Sequence, residues 1–91
     1  MPVYFWFMFY AYLLRSVASK KQTYVGYTDN LKLRLKEHNQ GESRHTSRFA
    51  PWSLELYAAF DVQERAEKFE KYLKTGSGRA FAKKHLWQPT V

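Results

Sequence analysis

The chain has 91 residues, 15 of them Lys or Arg against 8 Asp or Glu, for a formal net charge of +7. Its 45% hydrophobic and 19% aromatic content exceeds what a disordered tail carries, and the lack of cysteine excludes disulfides and thiolate zinc sites. One domain spanning residues 1–91 is the expectation, in a reducing compartment such as the cytoplasm. Polyanions are the favoured partners, because clustered cations displace the counterions of phosphate.

Val3 to Leu14 is an unbroken run of twelve apolar or aromatic residues. A membrane-spanning helix needs about twenty, so a buried strand is expected and no membrane partner. Residues 1–8 read as a hydrophobic extension that covers the core or a partner, which makes a homodimer or a partner protein the expected use of Phe5, Trp6 and Phe7. The strand itself is predicted from about Phe7 to Leu14. Its missing alternation implies cover on both faces. Arg15 to Gln22 is a polar connection, and Thr23 to Tyr27 a second short strand, giving an antiparallel hairpin.

Thr28, Asp29 and Asn30 are all candidate N-caps for a helix that stops at Gly41. Leu31 and Leu35 mark its apolar stripe, Arg34 and His38 border it, and Leu33 lies off it. Gln40 to Trp52 is a polar, basic loop. Leu54 to Phe60 reads as a third strand. Asp61 with Glu64 has capping-box spacing for a helix from Val62 to Thr75, with Val62, Ala66, Phe69 and Leu73 facing inward. Ser77 is expected to cap a last helix from Gly78 to Leu86, with Phe81, Ala82 and Leu86 inward. The fold class is therefore α+β: a small three-stranded antiparallel sheet flanked by helices.

Single polar residues in this list have ordinary explanations. A tyrosine in a strand buries its ring and bonds its hydroxyl, and Glu70 has Lys74 at the favourable i,i+4 spacing. The ordered combination says more. Tyr10-Ala11-Tyr12 lies in the first strand, and Tyr24-Val25-Gly26 begins twelve residues after Tyr12. Arg34 follows Tyr24 by ten residues, in the block Tyr27-Thr28-Asp29-Asn30-Leu31 to Glu37-His38-Asn39. His45-Thr46, Pro51-Trp52, then Ala66, Glu70, Leu73 and Lys74 come next, and Gly76-Ser77-Gly78-Arg79 closes the series. From residue 9 to about 86 the chain resembles the small stand-alone members of the GIY-YIG nuclease family, with Tyr10-Ala11-Tyr12 standing where the first triplet would be.

That resemblance implies a metal-dependent endonuclease acting on nucleic acid, with DNA the expected substrate. Tyr12, Tyr24, Arg34, His38 and Glu70 would be its catalytic residues. Glu70 would hold one divalent ion, Mg²⁺ with Mn²⁺ as a substitute. Magnesium suits a site with one protein carboxylate because it keeps several of its waters. Arg34 would offset charge on phosphate, and His38 would orient a tyrosine or water, or bond phosphate. Tyr12 is placed ahead of Tyr24 as general base, although an ordinary phenol titrates near 10; metal-bound hydroxide, with both tyrosines orienting, is the alternative. In the hairpin, a suitable register sets Tyr24 across from Tyr12. Nucleic-acid contacts are expected from Lys20, Lys21, Arg44, His45 and Arg48, and from Lys71, Lys74 and Arg79 on the helical side. Two other readings stay open: a nucleic-acid-binding module without catalysis, and a structural protein that docks a partner through its N-terminus.

Overall fold

The computed structural model of the chain describes residues 8–42, 44 and 46–87. Strands β1 (Phe9–Ser16), β2 (Thr23–Thr28) and β3 (Trp52–Phe60) form one antiparallel sheet in the order β2-β1-β3. Helices α1 (Leu31–Asn39), α2 (Gln63–Leu73) and α3 (Gly76–His85) pack around it. This is the expected α+β class. The expectations for residues 1–7, including the hydrophobic extension and the interface assigned to it, lie outside the described residues.

The central position of β1 explains its sequence. Ala11 to Leu14 are all buried, as a strand covered on both faces must be. On one face Tyr12 and Leu14 pack with Trp52, Tyr24, Leu31, Leu35 and Leu54. On the other, Leu13 meets Leu73, Ala82, Val25, Leu56 and Phe69. Leu54 and Leu56 lie two apart in β3 and would ordinarily share a face. They do not, because the register slips there: Leu13 pairs with Leu56 and Leu14 with Leu54. The bulge leaves Glu55 between them and turns the two leucines to opposite clusters.

Several element ends differ from the sequence expectation, each for a visible reason. β1 continues through Arg15 and Ser16, because Arg15 Nε pairs with Glu55 at 2.7 Å and the Ser16 hydroxyl donates to the Phe49 carbonyl. β3 begins at Trp52 instead of Leu54. The Trp52 backbone N–H donates to Asn39 Oδ1 and its indole to the Thr46 carbonyl, which fasten the loop to α1. Asn30 is the cap of α1, accepting from the Leu33 N–H at 3.1 Å, and Gly41 supplies the left-handed exit with φ +75°.

The capping box at Asp61 does not form. Val62 occupies the cap position without a side-chain bond, and Asp61 pairs with Arg65. The last helix starts two residues earlier than predicted and is capped by Thr75, not Ser77: Thr75 Oγ1 accepts from the Gly78 N–H. Gly78 then lies inside α3, where any Cβ would collide with the Tyr72 carbonyl, so the glycine lets α2 and α3 meet backbone to backbone. Val62 and Phe81 are exposed, contrary to the inward assignment. Phe81 stacks beside Tyr72 and His85 on the outer side. Phe69 is half-buried against Phe60. The buried stripe of α2 is Ala66, Glu70 and Leu73. A carboxylate therefore sits on a helix face otherwise given to the core.

Candidate active site

The site forms where α1 crosses the Tyr12 face of the sheet. Tyr12 lies in the middle of β1 with its ring buried, and its hydroxyl is 2.9 Å from His38 Nε2. His38, one turn after Arg34 on α1, is fully buried. Its Nδ1 is 2.6 Å from Thr46 Oγ1. Tyr12, His38 and Thr46 thus form an unbroken buried line from sheet to loop.

The register places Gly26, not Tyr24, opposite Tyr12; Tyr24 pairs with Leu14. The expected juxtaposition nevertheless occurs, diagonally, because residues two apart on a strand share a face. The Tyr24 ring lies 6.2 Å from the Tyr12 ring and 4.9 Å from the His38 ring, centroid to centroid. Gly26 makes this possible. A Cβ at that position would stand 2.5 Å from the Tyr12 hydroxyl and 2.8 Å from the Tyr24 ring.

The electrostatics follow from burial. Burial pushes the Tyr12 phenol up to about 12, with the neighbouring Arg34 guanidinium pulling the other way and Tyr24 and Glu70 adding to the rise. Tyr12 is therefore protonated at neutral pH. Burial lowers His38 to about 4, and the Arg34 charge lowers it further against a partial offset from Glu37. The resting imidazole is neutral. For Arg34, burial works against the charge, but the phenol oxygens of Tyr12 and Tyr24 and the Glu37 carboxylate outweigh it and raise its pKa. Arg34 meets Glu37 at 3.3 Å, with both side chains about one third exposed, so the guanidinium has an open side.

Glu70 approaches from α2. Its charge reaches Tyr12, its side chain is 11% exposed, and its carboxylate pairs with Lys74 one turn on. Among the described residues there is no cluster of three or more His, Asp or Glu that would hold a metal without water. A single, nearly buried carboxylate is nonetheless the donor set that a strongly hydrated hard cation accepts. Glu70 thus fits one Mg²⁺ or Mn²⁺ ion, provided that Lys74 swings aside.

The cationic residues divide into separate surfaces. Lys21, Lys74 and Arg79 line a groove of about 870 Å³ that reaches Tyr24, joined there by Arg15, Lys83 and Trp87. Arg15 and Lys83 are not among the sequence candidates; the sequence places Arg15 in the connection after the first strand, and the structure carries β1 through it. Lys20 lines a separate pocket with Val17 and Glu55. Lys71 is exposed and does not line the groove. Arg44 and Arg48 are exposed on the loop after α1, the Arg48 guanidinium lying over the Phe49 ring. His45 lies outside the described residues. Thr46 entered the sequence reading only within the His45-Thr46 pair, with no role assigned; nothing in its spacing announced that the loop folds back onto His38.

The GIY-YIG catalytic domain family matches residues 8–84, and the chain belongs to it. A UPF0213 protein of Streptococcus pyogenes serotype M3 is 39% identical over 72 residues, which cover 78% of this chain and 76% of that one. The solution NMR structure of a UPF0213 protein from Bacillus halodurans superposes with a TM-score of 0.50 at 28% identity, covering 84% of this chain and 80% of the other. A structure-specific endonuclease subunit SLX1 homolog from Giardia intestinalis is 37% identical over 68 residues, or 70% of this chain. The match covers only 19% of that longer protein. Among the described residues no helix is long and apolar enough to cross a membrane.

Proposed function

We propose that this chain is a divalent-metal-dependent endonuclease that hydrolyses phosphodiester bonds in DNA. The observation that carries the reading is the buried Tyr12–His38 hydrogen bond beside Arg34 and within reach of the Glu70 charge. A structural tyrosine needs none of that company. The SLX1 homolog's name supports the same reaction class.

The pKa directions favour one way for Tyr12 to work. With Tyr12 raised to about 12 and His38 lowered to about 4, a resting proton transfer between them is strongly disfavoured. A standing phenolate is therefore not the base. Instead, Tyr12 would take a proton from the attacking water while passing its own to His38 Nε2, so that the phenol stays neutral throughout. Water oxygen bonds to phosphorus as the bond to the leaving sugar oxygen breaks. The imidazolium that results lies near the charge developing on phosphate, and Arg34 would bind a phosphate oxygen through its open side. Tyr24, against both rings, would position the water. A divalent ion held by Glu70 would supply positive charge to the phosphoryl group. Lys21, Lys74 and Arg79 in the groove, and Arg44 and Arg48 on the loop, would hold the backbone of the substrate without reading its bases.

The test is single-turnover cleavage of linear, nicked, branched and single-stranded DNA, and of RNA, with Mg²⁺, Mn²⁺ or chelator. Glu70→Ala should abolish metal-stimulated cleavage and leave folding and metal-free DNA binding in place. Mg²⁺-dependent cleavage at the native rate by a folded Glu70→Ala protein would refute the metal site. Binding without cleavage by the native chain would leave a binding module.

A further inference from the structure

Thr46 takes no part in the chemistry above, yet it is as deeply buried as Tyr12 and His38. The fold holds it firmly. Its backbone carbonyl accepts from the Trp52 indole N–H at 2.8 Å and from the Phe49 N–H at 3.1 Å. Trp52 in turn is tied through its backbone N–H to Asn39, the residue after His38. The loop that carries Thr46 is thereby fastened through Trp52 to the end of α1, and its hydroxyl oxygen arrives 2.6 Å from His38 Nδ1.

A neutral imidazole has one N–H and one lone pair, and the partner of either nitrogen selects the tautomer. The Tyr12 hydroxyl is a buried donor and requires an acceptor; His38 Nε2 stands 2.9 Å from it. When Nε2 accepts, the ring proton must be on Nδ1, and the atom that receives it there is Thr46 Oγ1. The opposite tautomer would present an N–H to Tyr12 and turn the lone pair, on Nδ1, toward Thr46, where it cannot accept the Tyr12 proton.

We propose that Thr46 is a positioning residue of the active site: its hydroxyl accepts from His38 Nδ1–H, holding the ring plane and the tautomer in which the Nε2 lone pair faces the Tyr12 hydroxyl. It touches no substrate and acts only through His38. The proposal deepens the nuclease reading and rests on it for its kinetic consequence, but not for its structural one.

Thr46→Val keeps the branched shape and deletes the hydroxyl, stranding Nδ1–H; Thr46→Ser keeps the oxygen. The first readout is ¹⁵N NMR of the full chain with ring-labelled histidine, the His38 signals being assigned by their loss in His38→Gln. The native ring should show a protonated Nδ1 and a bare Nε2, and Thr46→Val should shift it toward protonated Nε2. The second readout is cleavage kinetics. Thr46→Val should lower kcat by about 10- to 100-fold with KM little changed, the range for losing a residue that orients a functional histidine, and Thr46→Ser should recover most of the loss. A native ring protonated on Nε2, or a Thr46→Val protein that keeps both native tautomer and native kcat, would overturn the proposal. Should Thr46→Val fail to fold, the native tautomer and the serine variant still decide it. If the native chain cleaves nothing, the nuclease reading falls and the NMR result alone judges Thr46.

Discussion

Mild acid should destabilise this protein through His38. The ring is fully buried between Tyr12 and Thr46, and its pKa falls from 6.5 to about 4 in the fold. The sign follows from which state binds the proton. Above about pH 6.5 the imidazole is neutral in folded and unfolded chains alike, and its buried hydrogen bonds contribute in full. Between 6.5 and 4 the unfolded chain takes up a proton that the folded one refuses, so stability declines. Below about 4 both are charged and the loss levels off. A displacement of this size corresponds to a total loss of about 3 kcal/mol, with a slope approaching 1.4 kcal/mol per pH unit in the middle of the window. For a domain this small, whose whole stability is on the order of 5 kcal/mol, that is a large share. Urea unfolding followed by circular dichroism at about pH 8, 6.5, 5.5 and 4.5 measures it. Contributions other than that of His38 are separated by His38→Gln, which should show a much flatter curve above about pH 5. An equal slope in the His38→Gln protein, or a native curve that is flat down to pH 5, would refute the assignment of a neutral, deeply buried imidazole.

Three further outcomes are expected. Gly26→Ala drives a methyl group into the Tyr12 hydroxyl and the Tyr24 ring, so cleavage should fall on the order of 100-fold, as small displacements of reacting groups do, while the circular dichroism spectrum stays native. Gly78→Ala should destabilise by about 1–3 kcal/mol in thermal unfolding although alanine favours helices, because its methyl meets the Tyr72 carbonyl and must push α2 and α3 apart. Affinity for duplex DNA should drop steeply and linearly in a log–log plot against salt, and charge reversal at Arg44 and Arg48 should weaken binding to unrelated sequences about equally and flatten that slope; a loss confined to one sequence would argue against backbone contact.

The elements were legible in the sequence where a local rule governs them. The continuous apolar run of β1 announced a strand covered on both sides, and it is the middle strand. Leu31 and Leu35 announced the packed face of α1, and Leu33 lies outside it as its spacing required. Tyr12, Tyr24, Arg34, His38 and Glu70 were recoverable as a catalytic set only through the family resemblance that their order along the chain carries. Taken singly, each had an ordinary explanation in a strand or a helix.

The tertiary structure alone decided the rest, because those features depend on where distant segments meet. No periodicity in β3 could reveal the bulge that sends Leu54 and Leu56 to opposite faces. Capping-box spacing at Asp61 and a serine before Gly78 obeyed local rules, yet Arg65 claimed the first carboxylate and Thr75 capped α3 earlier. Phe81 has core-forming chemistry but faces outward, since Ala82 and Gly78 are the small residues that let α3 approach α2 and the sheet. Thr46 carries the same lesson into the site. Residue type and spacing made His38 a candidate from the sequence, but which of its nitrogens faces Tyr12, and what holds the other, was set by a loop folding back across eight residues to place one hydroxyl against the ring.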